Sequence, residues 1–332
     1  MIKATFFTGS FYLNNRQFDI TDPVSNINDC LYGCYLLKKR LEEMDINLST
    51  QDINPPDESS FIIYNDMPVL KYIDAGRVNY LLLMESRVVK PDNWDIENHK
   101  YFKKIFTWDD TLIDNKKYFK INYTHKIPEN IEFNLDKKET LCVMINSNKF
   151  SDHPLELYTE RIRAINWFEK NHPEDFDLYG FGWDKYVFKG ALKKLNRLEI
   201  ISKMLAPKHK CLRFPAPAKT VLPKYKFAIC YENARDIPGY ITEKIFNCFF
   251  AGCVPIYLGA SNITDYIPAN TFIDKRNFKT YDDLYSYIKN MSETEYIDFL
   301  DAIKNFVLSD KIYPFSAECF AETLVREIIE KK

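Results

Sequence analysis

A chain that runs FAICYENARDIPGYITEKIFNCFFAGCVPIYLG over residues 227–259 has few folds open to it. Its first five residues are apolar throughout and too few for a helix, the pattern of a strand covered on both faces. Polarity returns at Glu232-Asn233, and Pro238-Gly239 breaks the chain. Thr242 is placed to cap a helix whose apolar stripe is Ile245, Phe246, Phe249 and Phe250, and Gly252 is placed to close it. Residues 254–258 form the next buried strand. Such a unit sets a loop and a helix N-terminus at the carboxyl end of a parallel sheet, where open α/β folds bind ligands. The predicted fold class is therefore α/β.

The same grammar recurs upstream. Residues 2–8 alternate into a strand that ends at Gly9-Ser10, and 29–44 form a helix with Leu31, Cys34, Tyr35, Leu37 and Leu41 facing inward. Residues 61–64 and 79–84 are buried strands delivering Asn65-Asp66 and Glu85-Ser86, and 104–107 and 118–121 add strands around a turn or helix start at Trp108-Asp109-Asp110. After the weakly patterned 125–139, a strand over 141–145 leads to the turn Asn146-Ser147-Asn148-Lys149. A helix over 155–171 carries Arg161 and Arg163, and a strand over 176–179 ends at Gly180-Phe181-Gly182-Trp183. Beyond residue 259 the pattern predicts a short helix at 262–268, a strand at 272–273, and helices within 284–288, 296–306 and 317–330. The 332 residues suit two domains, 1–130 and 140–315, followed by a C-terminal helix in 316–332. Polar strand ends in both suggest an enzyme with a cleft, each domain giving one wall.

Composition narrows the function classes. A formal net charge of −2 weighs against general polyanion binding, and 15% aromatic residues suit deep cores and ring-stacking surfaces. The eight cysteines include no CxxC pair and several lie in apolar runs, so they read as reduced thiols. No apolar run approaches the ~18 residues of a membrane span, and MIKATFFTGSFYL lacks a signal-type core. A soluble cytoplasmic protein is expected, with membrane association at most peripheral. The five histidines show no HxH or HxxxH spacing, and Asp175-Phe176-Asp177, though of DxD form, opens a buried strand and reads as structural. Residues 185–226 hold twelve Lys or Arg against one Glu, interleaved with Tyr186, Phe188, Phe214 and Tyr225. A nucleic-acid surface is one reading of that run; a face toward a nucleotide, an acidic glycan or another partner is the preferred one.

Tyr231-Glu232-Asn233, Gly239-Tyr240-Ile241-Thr242-Glu243-Lys244, Ala251-Gly252-Cys253-Val254-Pro255 and Gly259, in this order and spacing, resemble the donor-binding signature of glycosyltransferase family 10, the α-1,3/1,4-fucosyltransferases that use GDP-fucose. The resemblance runs on through 262–268 and 272–273. Upstream it takes in Ser147-Asn148, Arg161 and Phe188-Lys189-Gly190, so it covers most of residues 141–280. In the first domain only Leu83-Met84-Glu85-Ser86 and Phe106-Thr107-Trp108 are similar to family segments, and Arg87 stands where the family has proline.

The resemblance implies a GT-B architecture, two Rossmann-like domains facing across a cleft. The acceptor side lies on 1–130 and the GDP-sugar donor on 140–315. It implies inverting transfer of fucose to a hydroxyl of an N-acetylglucosamine-containing oligosaccharide or glycoconjugate, in α-1,3 linkage, with no catalytic metal and no other cofactor; the overall charge and the lack of a nucleic-acid motif predict no nucleic-acid partner. By the same resemblance Lys244 and Arg161 hold the pyrophosphate with Ser147 and Asn148 assisting. Asn233, Tyr240 and Glu243 contact ribose or fucose, and Glu85 takes the acceptor proton. The chemistry agrees: cations and helix N-terminal amides stabilise a departing diphosphate, a guanidinium fork suits phosphate, and an attacking hydroxyl needs a base. Two alternatives stand beside this reading, a related transferase with another GDP-sugar or an unusual acceptor, and a glycan- or nucleotide-binding protein without turnover.

Overall fold

The computed structural model describes residues 1–188 and 190–329; Lys189, Glu330 and the Lys331-Lys332 ending lie outside the described residues. The chain divides into two compact units, one of Met1–Pro128, Ile237–Glu243 and Ser309–Lys332, the other of Glu129–Asp236 and Lys244–Leu308.

The first unit is built on strands β1 (Ile2–Phe7), β2 (Ile46–Thr50), β3 (Phe61–Asn65), β4 (Val78–Leu83), β5 (Lys104–Thr107) and β6 (Tyr118–Lys120), with helix α1 (Tyr32–Glu42) between β1 and β2. All strands pair in parallel, in the order β2-β1-β3-β4-β5-β6. Both faces are covered, which is why the central strands read as continuous apolar runs. On one face Leu37 and Leu41 of α1 pack with Phe6, Leu48, Ile63 and Leu82, together with Phe320 and Leu324 of the C-terminal helix (Ala317–Ile329). On the other, Ile62, Leu81, Leu83 and Ile105 meet Tyr64 and Phe102. Each such buried side chain contributes about 1.5–3 kcal/mol.

Strand β2 was not expected, because Asn47, Ser49 and Thr50 interrupt its apolar pattern. Those polar groups serve the loop after β1. The Thr50 amide donates to Asn15 Oδ1 (2.9 Å), and the Asn15 amide donates to Thr50 Oγ1 (3.0 Å). The expected domain limits also shift. The C-terminal helix completes the core of the first unit, and the return to that unit begins at Ser309 rather than at 316. Residues 237–243, expected in the second domain, fold with the first. Gly239 adopts φ +79°, and a Cβ there would stand 2.2 Å from the Trp108 carbonyl oxygen, so only glycine lets this segment lie against the turn at Trp108-Asp109-Asp110.

The second unit holds β7 (Thr140–Ile145), α2 (Tyr158–Asn171), β8 (Phe176–Tyr179), α3 (Glu199–Met204), α4 (Ala218–Val221), β9 (Tyr225–Tyr231), α5 (Glu243–Phe250), β10 (Val254–Leu258), β11 (Ile273–Asp274), α6 (Tyr281–Asn290) and α7 (Glu293–Val307). Its sheet is parallel, in the order β11-β10-β9-β7-β8. The chain leaves β7 toward β8 on one side and β9 toward β10 on the other, so the topological switch point lies at the carboxyl ends of β7 and β9. Both carboxylates of the DxD sequence are held by protein donors. Asp175 accepts from Tyr285 Oη and Lys289 Nζ (both 2.6 Å), and Asp177 from Tyr225 Oη and Arg213 Nε (both 2.6 Å). All eight cysteines are free thiols, and among the described residues no helix is long and apolar enough to cross a membrane.

Candidate active site

At the switch point of the second unit, β9 delivers Tyr231 and then Glu232, whose side chain is fully buried. Lys244, in the first turn of α5, sets its Nζ 3.3 Å from Glu232 Oε2. The space for this carboxylate is made by Gly259 at the end of β10: a Cβ there would lie 2.5 Å from Glu232 Cγ and 2.4 Å from Tyr257 Oη. A buried acid is thus matched to a cation in the first turn of a helix.

Arg161 of α2 is only 2% exposed. Its Nη2 donates to the carbonyls of Tyr231 (2.7 Å) and Glu232 (2.8 Å) and to Asn233 Oδ1 (3.0 Å). Arg163 instead pairs with Glu160 on the surface at 3.0 Å. Arg161 is therefore the interior arginine of the two, as its spacing to Phe168 and to the Phe176-Asp177 strand favours, and these bonds tie α2 to the end of β9. Asn233 is engaged by the same guanidinium. Asn148 Nδ2 donates to the carbonyls of Gly182 (3.0 Å) and Lys185 (3.1 Å), and half-buried Ser147 precedes it in the same turn. This turn holds the loop after β8, where Gly180 at φ +134° leaves no room for a side chain against the Asn146 carbonyl. A pocket of about 750 Å³ opens there, lined among others by Phe181, Trp183, Arg213 and Phe214. The GFGW sequence was the available signal for it; Phe214 was noted only as part of the basic run.

In the first unit Glu85 follows β4, and its backbone is clamped by side chains from three loops. Asp66 Oδ1 accepts from the amides of Met84 (2.8 Å) and Glu85 (3.0 Å) and from Asn93 Nδ2 (2.6 Å). The Glu85 carbonyl accepts from Asn93 Nδ2 (3.0 Å) and Trp94 Nε1 (3.2 Å), while Trp108 Nε1 donates to the Met84 carbonyl (2.8 Å). Burial pushes the Asp66 carboxyl up, against the bonds from Glu85, Met84 and Asn93. Arg87, in place of the family's proline, donates to the fully buried Asp109 (2.9 Å) and lies 4.9 Å over the Trp94 ring.

Tyr123 gathers the rest of this cluster. Burial pushes its hydroxyl well above the ordinary tyrosine range, and the nearby Tyr240, Glu85, Glu243 and Asp66 add to the rise. Tyr240 is fully buried, its ring 4.5 Å from Trp108 and 6.2 Å from Tyr123. The structure so brings Glu85, Tyr240 and Glu243 around one phenol in the first unit. Lys244, Arg161 and Asn233 gather around Glu232 in the second, with Ser147 and Asn148 at the loop after β8. The sequence offered no sign of Tyr123, Asn93 or Trp94, each of which acts through non-local packing.

His125 borders the same cluster. Burial lowers its imidazole from 6.5 to about 4, with the Glu243 charge opposing the shift. Its folded value lies below its unfolded value, so between the two the unfolded chain binds more protons and stability rises with pH. Stability present above pH 6.5 is lost as pH falls toward about 4, by roughly 3 kcal/mol. Thermal midpoints measured across that window should fall, and His125→Gln should flatten the fall.

Residues 189–317 match the family model described as glycosyltransferase family 10 (fucosyltransferase) C-term. Over 105 residues, 31% of this chain and 22% of the relative, the sequence is 31% identical to the alpha-(1,3)-fucosyltransferase FucT of Helicobacter pylori. Over 69 residues, 21% of this chain and 17% of the relative, it is 39% identical to an alpha-(1,4)-fucosyltransferase of Arabidopsis thaliana. The matches thus span about a fifth of the length of these relatives. Among solved structures, an alpha1,3-fucosyltransferase with GDP superposes with a TM-score of 0.61 at 14% identity, covering 100% of this chain and 91% of that one. The Anabaena protein HepE in complex with UDP and glucose reaches 0.57 at 10% identity, covering 99% of each. The two parallel-sheet Rossmann-like units have the GT-B fold of these solved glycosyltransferases, and residues 189–317 of the chain are similar to the C-terminal domain of glycosyltransferase family 10, the fucosyltransferases.

Proposed function

We propose that the chain transfers fucose from GDP-fucose to a hydroxyl of an N-acetylglucosamine-containing glycan, in α-1,3 linkage, with inversion and without a catalytic metal. The observation that carries this reading is Lys244 at the start of α5, paired with buried Glu232 at the switch point, inside the stretch matched to the fucosyltransferase family. Solved relatives of this fold hold GDP and GDP-fucose.

In this reading the acceptor oxygen attacks the anomeric carbon of fucose as its bond to the β-phosphate oxygen breaks. The charge that develops on GDP is met by the Lys244 ammonium and the first amides of α5. A lysine charge fixed there supplies what a divalent ion supplies in metal-dependent transferases. The acceptor proton goes to Glu85, whose backbone is fixed by Asp66 and Asn93. Glu243 accepts hydrogen bonds from the sugar. Arg161 acts through the carbonyls of Tyr231 and Glu232 that it binds, and Tyr240 acts through its packing on Trp108. The nucleobase sits in the pocket beyond β8 between Phe181 and Phe214, held there by the turn of Ser147 and Asn148.

The test is GDP release from GDP-fucose, with and without N-acetyllactosamine-type acceptors and EDTA. Release only with acceptor, unchanged by EDTA, is the expected result. Loss of release in EDTA would remove the metal-free mechanism, and donor binding without release on any acceptor would favour a binding protein.

A further inference from the structure

The basic run at 185–226 takes little part in the site described above, and the structure shows what its middle does instead. Between Gly190 and Leu205 the chain forms a 3-10 helix (Gly190–Arg197) and then α3, a lobe fastened to the second unit by polar contacts. The Phe188 amide donates to Asn196 Oδ1 (2.8 Å), Asn196 Nδ2 donates to the Phe188 carbonyl (3.0 Å), and the Tyr186 amide donates to the Ser202 carbonyl (2.7 Å). Lys185 pairs with Glu199 at 2.8 Å. Several of its aliphatic side chains stay in solvent. Leu192 is 57% exposed, Ile200 77%, Met204 80% and Leu205 55%. Large aliphatic side chains gathered this way mark a surface that meets something apolar. Residues 190–210 carry Lys193, Lys194, Arg197, Lys203, Lys208 and Lys210 against Glu199.

We propose that this lobe is an interfacial surface that lies on an anionic lipid bilayer, its aliphatic side chains entering the boundary between headgroups and acyl chains. Charge and apolarity together select this partner. Clustered lysine and arginine are drawn to anionic headgroups, and their long stems keep the charge in water while covering apolar surface. A second copy of the chain would bring the same surplus of cations. Nucleic acid would satisfy the cations, but bases stack on aromatic rings and leave Leu192, Ile200, Met204 and Leu205 uncovered. With no helix among the described residues able to cross a bilayer, the attachment is one of lying on the surface.

The full chain is sedimented with extruded vesicles of phosphatidylcholine alone and of phosphatidylcholine with about 30% phosphatidylglycerol. Pelleting with the anionic vesicles only, weakening as salt rises, is expected. The pair Ile200→Asp and Met204→Asp should lower the partition coefficient about tenfold, as should Lys194→Glu with Arg197→Glu. All four side chains are exposed, so the folds are retained, which circular dichroism checks. GDP release with a soluble acceptor should be unchanged in every variant, which separates this surface from the donor site. The proposal is overturned by absence of pelleting, by pelleting that the apolar pair leaves intact, or by polynucleotide binding that only the charge pair abolishes.

Discussion

Lys244→Ala is expected to lower turnover about 10²–10³-fold, the loss seen when one preorganised donor to a developing oxyanion is removed. It should also lower stability by about 3 kcal/mol, since it takes away the cation 3.3 Å from a fully buried carboxylate. The two losses have different sources and separate in a double variant. Adding Glu232→Gln removes the carboxylate charge that Lys244 balances while keeping the shape that Gly259 leaves for it. The double variant should regain most of the thermal midpoint, while its turnover stays at the level of Lys244→Ala. Recovery of turnover along with stability would show that Lys244 serves the fold alone, and the leaving-group role would fall. Lys244→Arg is a further control: it keeps charge but changes its reach at a site where the two cations are not interchangeable.

Much of the second unit was legible from residues 227–259 because that stretch is governed by local rules. Phe227 to Tyr231 are buried on both faces, so the apolar run could only be a central strand, and α5 begins at Glu243 directly after Thr242. The same local reading marked Glu85 as a strand-end residue and favoured Arg161 over Arg163 by its spacing to Phe168 and to the Phe176-Asp177 strand. What the sequence did not disclose depends on distant partners. Gly239 read only as a break, whereas its necessity comes from the Trp108 carbonyl, 131 positions earlier in the chain (239 − 108). The Asp66 and Asn93 clamp joins loops after β3 and β4 that share no pattern, and Ser49 and Thr50 hid β2 because their hydroxyls are spent on the loop after β1. Arg161 was expected to grip a pyrophosphate, and the main-chain carbonyls that its Nη2 binds are partners that no spacing rule announces.

Glu85→Gln should lower kcat about 10²–10⁴-fold, the range for removal of a general base, and leave the donor KM within about twofold. Fold and position should survive, because the contacts that fix residue 85 are made to its amide and carbonyl, which glutamine retains. A structural role would therefore leave little trace in this variant, and a chemical one a large trace. The pH profile gives the second readout. A base works only when ionised, so the rate falls as pH falls through its pKa, and the variant should lose that acidic limb. Glu85 and Glu243 both add to the rise of the Tyr123 hydroxyl, in a cluster whose rings are Trp108, Tyr123 and Tyr240. If Glu85→Gln keeps more than about a tenth of wild-type kcat, or keeps the acidic limb, the proton goes elsewhere. Glu243, in the same cluster, would then be the next group to test.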